Sequence, residues 1–143
     1  MNQSLQSALS DMQGQLFEMS VRQGLNSESF IKAFMQSEIA KELDLPFHHL
    51  QWAGKEYIMD RILDELKDKL RKGGTIYDAE TMYWTGYVYR KWHFYTGETS
   101  KEIYRQAPAE TMRICYLPFH TESVEMAIDR LKETYEMKSS LPF

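Results

Sequence analysis

The sequence predicts an all-α fold, a compact single-domain bundle of five to seven helices around an aromatic-rich helix at about 79–96. Three observations carry that prediction. Apolar residues recur at spacings of three and four in almost every segment, as one face of a helix requires. Helix starts and stops are written in cap residues, glycines and prolines along the chain. No run alternates apolar and polar residues for long enough to make a strand, and "GTIY" is too short to count.

The elements follow in order. In residues 3–22, Leu5, Leu9, Met12, Leu16 and Met19 fall on one helical face, and Gly24 supplies a C-terminal stop. Ser27 is placed to cap a second helix, whose stripe is Phe30, Ile31, Phe34, Met35, Ile39 and Leu43, with Pro46 ending it. A third helix is expected over about 49–71, with Ile58, Met59, Ile62, Leu63, Leu66 and Leu70 inside. The charges of "DELKDKLRK" lie outside, and "RKGG" closes it. Asp78 caps the aromatic helix and Gly97 stops it. "TSKE" (Thr99 to Glu102) is a capping box for a short helix. Pro108 opens another short helix that Pro118 closes, and Thr121 starts the last one. That last helix has Val124, Ala127, Ile128, Leu131 and Tyr135 on one side.

The segment "YWTGYVYRKWHFYTG" (83–97) poses the main functional question, because aromatic rings with interleaved cations either form a core or stack bases. At 100° per residue, Tyr83, Phe94, Tyr87, Trp84, Tyr95, Val88 and Trp92 occupy about half the circumference. Thr85, Tyr89, His93, Gly86 and Arg90 occupy the rest. The aromatic arc is therefore expected to face the core, with Gly86 admitting a close neighbour and Lys91 reaching out to water. So many exposed rings would be an aggregation hazard.

Composition narrows the function classes. The chain has 143 residues, 43% hydrophobic and 13% aromatic, with a formal net charge of -4. That length supports a core without disulfides or metal, and the charge argues against general affinity for phosphate backbones. The single cysteine, Cys115, excludes a disulfide framework and a cysteine-built zinc site. The opening residues lack a secretory signal, and no stretch is apolar enough for a membrane span. A soluble cytoplasmic protein is the expectation.

Candidate chemistry is sparse, and no catalytic residues, metal site or cofactor are assigned. His48 and His49 are adjacent and would diverge on a helix; HExxH is absent. Cys115 and His120 are close in sequence, but the pairing is not implied. A polar pocket of Tyr89, Arg90, His93 and Glu98 at the end of the aromatic helix would suit an enzyme, or simply a structural cluster. The helix pair at 100–117 offers Lys101, Arg105 and Arg113, with Thr111 in support, for a DNA-binding regulator. Residues 82–113 carry five Lys/Arg against three Asp/Glu, a balance of only +2, so that face is weakly basic. The methionine-rich first helix leaves homo-oligomerisation open.

The stretch "YTGETSKEIYRQAP", the spaced Tyr116, "FHT" and "MAIDRLKE" together resemble a family of short uncharacterised bacterial proteins, mainly from Gram-positive species. The resemblance covers roughly 94–135. Members of that family are often encoded beside putative ADP-ribosyltransferase-like toxins, so it implies an operon-encoded toxin-like protein as partner. It lends no catalytic residue. The expected function is a non-enzymatic protein-binding module, antitoxin-like or accessory in a toxin–antitoxin or mobile-element operon. The alternatives are the DNA-binding regulator and the enzyme just described.

Overall fold

The computed structural model describes residues 2–140, and within them the fold is all-α, with eight α-helices and one 3-10 turn. These are α1 (Gln3–Arg22), α2 (Ser27–Met35), α3 (Glu38–Asp44), the 3-10 turn (His49–Trp52) and α4 (Lys55–Glu65). Then come α5 (Ala79–Thr96), α6 (Ser100–Gln106), α7 (Ala109–Phe119) and α8 (Val124–Ser139). The aromatic helix α5 is central: it packs along α1 and also meets α6, α7 and α8. No helix among the described residues is long and apolar enough to cross a membrane.

The count exceeds five to seven because one expected helix divides. The stripe Phe30, Ile31, Phe34, Met35, Ile39 and Leu43 is buried as expected, but Ser37 is extended between α2 and α3. Its hydroxyl donates to the Phe34 carbonyl at 2.6 Å and accepts the Ala40 amide at 3.1 Å, stopping one helix and capping the next.

The expected helix over 49–71 is also shortened. Gly54, at φ 86, breaks it from the 3-10 turn, and α4 ends at Glu65. Beyond it the backbone is drawn to the loop after α1. The Asn26 amide donates to the Arg71 carbonyl at 2.8 Å, the Gly73 amide to Gly24 at 2.8 Å and the Ser27 amide to Thr75 at 3.0 Å. These long-range bonds within the chain replace helical ones, so the "RKGG" segment is a strap rather than a cap.

Cap assignments hold at Gly24, Asp78, Gly97 and the Thr99–Glu102 box. Three shift by one or two residues. Asn26 caps α2, leaving the Ser27 hydroxyl to accept the Tyr77 amide at 2.8 Å. Ser123, not Thr121, caps α8. Pro118 lies inside the last turn of α7, where its missing N–H forfeits only one helical bond.

The rotation of α5 corrects the sequence expectation. The arc expected outside is the deepest: Thr85, Tyr89 and Arg90 are at most 2% exposed, and Gly86 is buried. Val88 and Trp92 are buried too, but Tyr83, Trp84, Tyr87 and Phe94 are half-buried and Tyr95 is exposed. The cause is a seam of small and polar residues between α1 and α5. Ser10, Gln13, Gly14 and Ser20 of α1 are buried along with Leu16 and Phe17. A Cβ on Gly86 would stand 2.6 Å from the Gln13 carbonyl oxygen, so the two backbones are close enough to exclude any side chain there. Backbone proximity, more than ring count, sets the inward face. Lys91 then sits naturally, because the arc around it points out.

Along α1 the same seam turns the expected stripe. Leu9 and Leu16 are buried, while Met12 and Met19 are only half-buried, packed against the core.

Candidate functional site

The expected polar pocket is a buried tie. Arg90 Nη1 donates to Asp44 Oδ1 at 2.7 Å and Nε donates to Gln13 Oε1 at 2.9 Å. The Ser100 amide and hydroxyl complete the Asp44 carboxylate, each at 2.8 Å. Burial pulls the Arg90 pKa down while the Asp44 charge opposes it. His93 stands 3.8 Å from Asp44 Oδ1, with its Nδ1 2.7 Å from the Glu98 carbonyl oxygen.

The other two expected members face elsewhere. Glu98 accepts from Trp92 Nε1 at 2.9 Å, Lys132 Nζ at 2.7 Å and Gln106 Nε2 at 2.5 Å. Tyr89 donates its hydroxyl to the Ala107 carbonyl at 2.6 Å. Arg90 and His93 stand beside Asp44 while Glu98 and Tyr89 bond to other partners; Arg90 ties α5 to α3 and α6, and Glu98 ties α5 to α8.

The expected DNA-contacting set also divides. Lys101 and Arg105 share a cleft with Lys32 and Lys69, whereas Arg113 is held by Glu110 at 2.6 Å. Cys115 is 9% exposed, and burial pushes its thiol pKa up, the reverse of an activated nucleophile. The His120 ring stacks on Tyr116 at 4.3 Å, with Nδ1 2.8 Å from the Tyr116 carbonyl oxygen. His48 and His49 stack at 4.4 Å, and His48 Nδ1 accepts the Leu50 amide. No group of three or more His, Cys, Asp or Glu among the described residues is arranged to hold a metal ion.

The outward arc of α5 instead builds a groove. Tyr83, Trp84 and Tyr87 form its floor, Tyr116 and His120 of α7 one wall, and Glu18 of α1 and Glu80 two carboxylates at its edge. Val124 completes it, and the volume is about 510 Å³. Trp84 meets Tyr116 edge-on at 5.7 Å, and Tyr83 lies 6.0 Å from Tyr87. The hydroxyls point to acids: Tyr116 donates to Glu80 at 3.2 Å, and Tyr83 donates to Asp11. Burial first, then these neighbouring carboxylates, raises both phenol pKa values, so both groups stay neutral donors. No lysine or arginine lines the groove.

Such a surface can take an apolar or cationic group: ring faces carry partial negative charge, and the carboxylates add to it. Phosphate is disfavoured there. Sequence reasoning singled out Tyr83, Trp84 and Tyr87 but placed them inside; Glu18, Glu80 and Tyr116 were missed as site residues. The signal was present as Glu80, Tyr83, Trp84 and Tyr87 at helical spacing, which gives one acid-and-aromatic face. Trp92, by contrast, is wholly buried.

No protein-family model, curated protein or solved structure matches the chain.

Proposed function

We propose that the chain is a non-enzymatic protein-binding module, antitoxin-like or accessory in its operon, and that the aromatic groove of α5 and α7 is its contact surface. One observation carries the reading: five rings stand half open beside two carboxylates with no lysine or arginine in the lining, and Glu18 meets only the exposed Arg22, at 3.8 Å. Aromatic residues in a partly desolvated pocket are what dominate binding energy at protein interfaces. The occupant that fits is a basic segment of the partner, an arginine or lysine lying on Trp84 or Tyr87 and paired to Glu80 or Glu18.

The resemblance over 94–135 supplies the partner's class, a toxin-like protein encoded nearby in a bacterial cytoplasm. Occlusion is the mechanism: the bundle covers the partner's working cleft. Support on the non-enzymatic side comes from the polar cluster, whose Arg90, His93 and Glu98 are used in joining helices. Ile114 and Leu117 are also exposed on α7, on a different part of the helix surface from Tyr116.

Co-purification from the native host tests this. Native protein is expected to carry one operon-encoded partner, lost on combining Glu80→Lys with Tyr87→Ala and kept with the remote Glu133→Lys. Recovery without that partner, or a partner indifferent to the groove changes, would overturn the reading.

A further inference from the structure

A second concavity has the opposite chemistry. It is a cleft of about 630 Å³ lined by Lys32, Gln36, Lys69, Lys101, Tyr104 and Arg105. These residues come from three places: α2 and its end, the turn after α4, and α6. Four of the six are cations and none is acidic.

The cations have no local reason to be together. Among the described residues none of the four forms an ion pair, while Arg61, Arg90, Arg130 and Lys132 are each engaged by a carboxylate at 2.6–2.8 Å. The chain has more acids than bases, 21 against 17, so partners were available. Glu102, near Arg105, is turned to cap α6. Lys32 and Arg105 lie in the last turns of α2 and α6, where a cation suits the helix dipole. Lys101 lies in the first turn of α6, where it does not, and Lys69 is outside any helix. Four like charges on exposed side chains around one hollow give it a positive potential that draws an anion.

The neighbouring lobe says what the anion is attached to. It is about 650 Å³, shares Lys32, Gln36, Lys69 and Tyr104 with the cleft, and adds Asn26, Ser29, Arg71 and the carboxylates Glu28 and Glu110. Tyr104 is half-buried and forms the wall common to both lobes. A flat aromatic ring beside polar amide, hydroxyl and carboxylate groups suits a base and a sugar. Each lobe by itself is in the size range of small-molecule sites. Glu28 and Glu110 in this lobe offset Arg71 and would repel a continuing phosphate backbone, and Arg113 is taken by Glu110.

We infer that the paired lobes around Tyr104 bind a nucleoside di- or triphosphate, with Lys32, Lys69, Lys101 and Arg105 on the phosphates and Tyr104 against the base. This function is independent of the aromatic groove.

Calorimetric titration of the full chain with ADP, inorganic pyrophosphate, adenosine and a single-stranded DNA 12-mer tests it. ADP and pyrophosphate are expected to bind and adenosine not, with ADP about fivefold tighter than pyrophosphate through the ring contact. Lys69→Glu with Lys101→Glu, both exposed and therefore safe for folding, is expected to weaken ADP and pyrophosphate by at least about tenfold. Tyr104→Ala is expected to remove the preference for ADP while keeping pyrophosphate. Arg113→Glu and the groove change Tyr87→Ala are expected to alter neither. Absence of binding by ADP and pyrophosphate, or binding that survives the double charge reversal, overturns the site. A 12-mer that binds more tightly than ADP overturns it in favour of a nucleic-acid track.

Discussion

Arg90 of the central helix and Asp44 at the end of α3 form an ion pair at 2.7 Å, with side chains only 2% and 9% exposed. The pair fastens four helices, since Ser100 of α6 donates twice to the same carboxylate and Gln13 of α1 accepts from the guanidinium. Satisfaction is complete on the acid, which is why a buried charge is tolerated here. Breaking the pair from one side leaves the other charge stranded. Arg90→Met is expected to cost about 3–5 kcal/mol, read as a fall in the urea midpoint. Adding Asp44→Leu is expected to recover part of that loss, giving a non-additive cycle.

Gly86 gives a sharper steric prediction. An added Cβ would meet the Gln13 carbonyl oxygen at 2.6 Å and the Phe17 ring at 2.8 Å, neither able to swing aside. Gly86→Ala is expected to destabilise by about 3 kcal/mol. Gly14→Ala is the milder comparison, at about 1 kcal/mol, because the nearest atoms belong to the half-exposed Tyr83 ring. Thermal unfolding of the two variants should separate them clearly.

Glu98 predicts an acid-sensitive joint between α5 and α8. Burial alone would raise its pKa, but hydrogen bonds from Lys132, Trp92, Gln106 and Thr96 outweigh it and hold it at about 2. A folded pKa below the unfolded one means stability that is fully present above about pH 4.5 and is lost as pH falls toward 2. With the side chain 23% exposed, solvent screening reduces the contribution to on the order of 2 kcal/mol. Melting curves between pH 7 and pH 2.5 check this. Glu98→Gln should start less stable and show a flatter pH dependence.

Phe47 is the one non-glycine residue with positive φ among the described residues, at 62°, and its ring is 75% exposed. The left-handed conformation disfavours a bulky side chain, and little burial is lost on removing it. Phe47→Gly is expected to raise stability by up to about 1 kcal/mol, a gain of a few degrees in melting temperature.

How far the sequence reaches differs from element to element. Local signals worked wherever a cap or a stripe is decided within one turn. Asp78, Gly97 and the Thr99–Glu102 box each bound their helix, and Phe30 to Leu43 are buried at the expected period. They failed where a distant segment competes for the same backbone. The helix expected to reach residue 71 ends at Glu65, passes through a turn at 66–69, and Arg71, Gly73 and Thr75 then bond to Asn26, Gly24 and Ser27. The polar cluster shows the same limit: the sequence places Arg90, His93 and Glu98 near one another, but Asp44, which takes the arginine, comes from another helix.

By itself, then, the sequence determined that the chain is helical and that α5 lies at its centre, because turn-by-turn periodicity and capping are encoded in neighbouring residues. Only the tertiary structure decided which way α5 turns. The approach of α1 to Gly86 is a contact across more than seventy residues, and it sends Arg90 inward and the tyrosines out. The groove and the basic cleft follow from that kind of assembly, since each draws its charges from segments far apart in the chain.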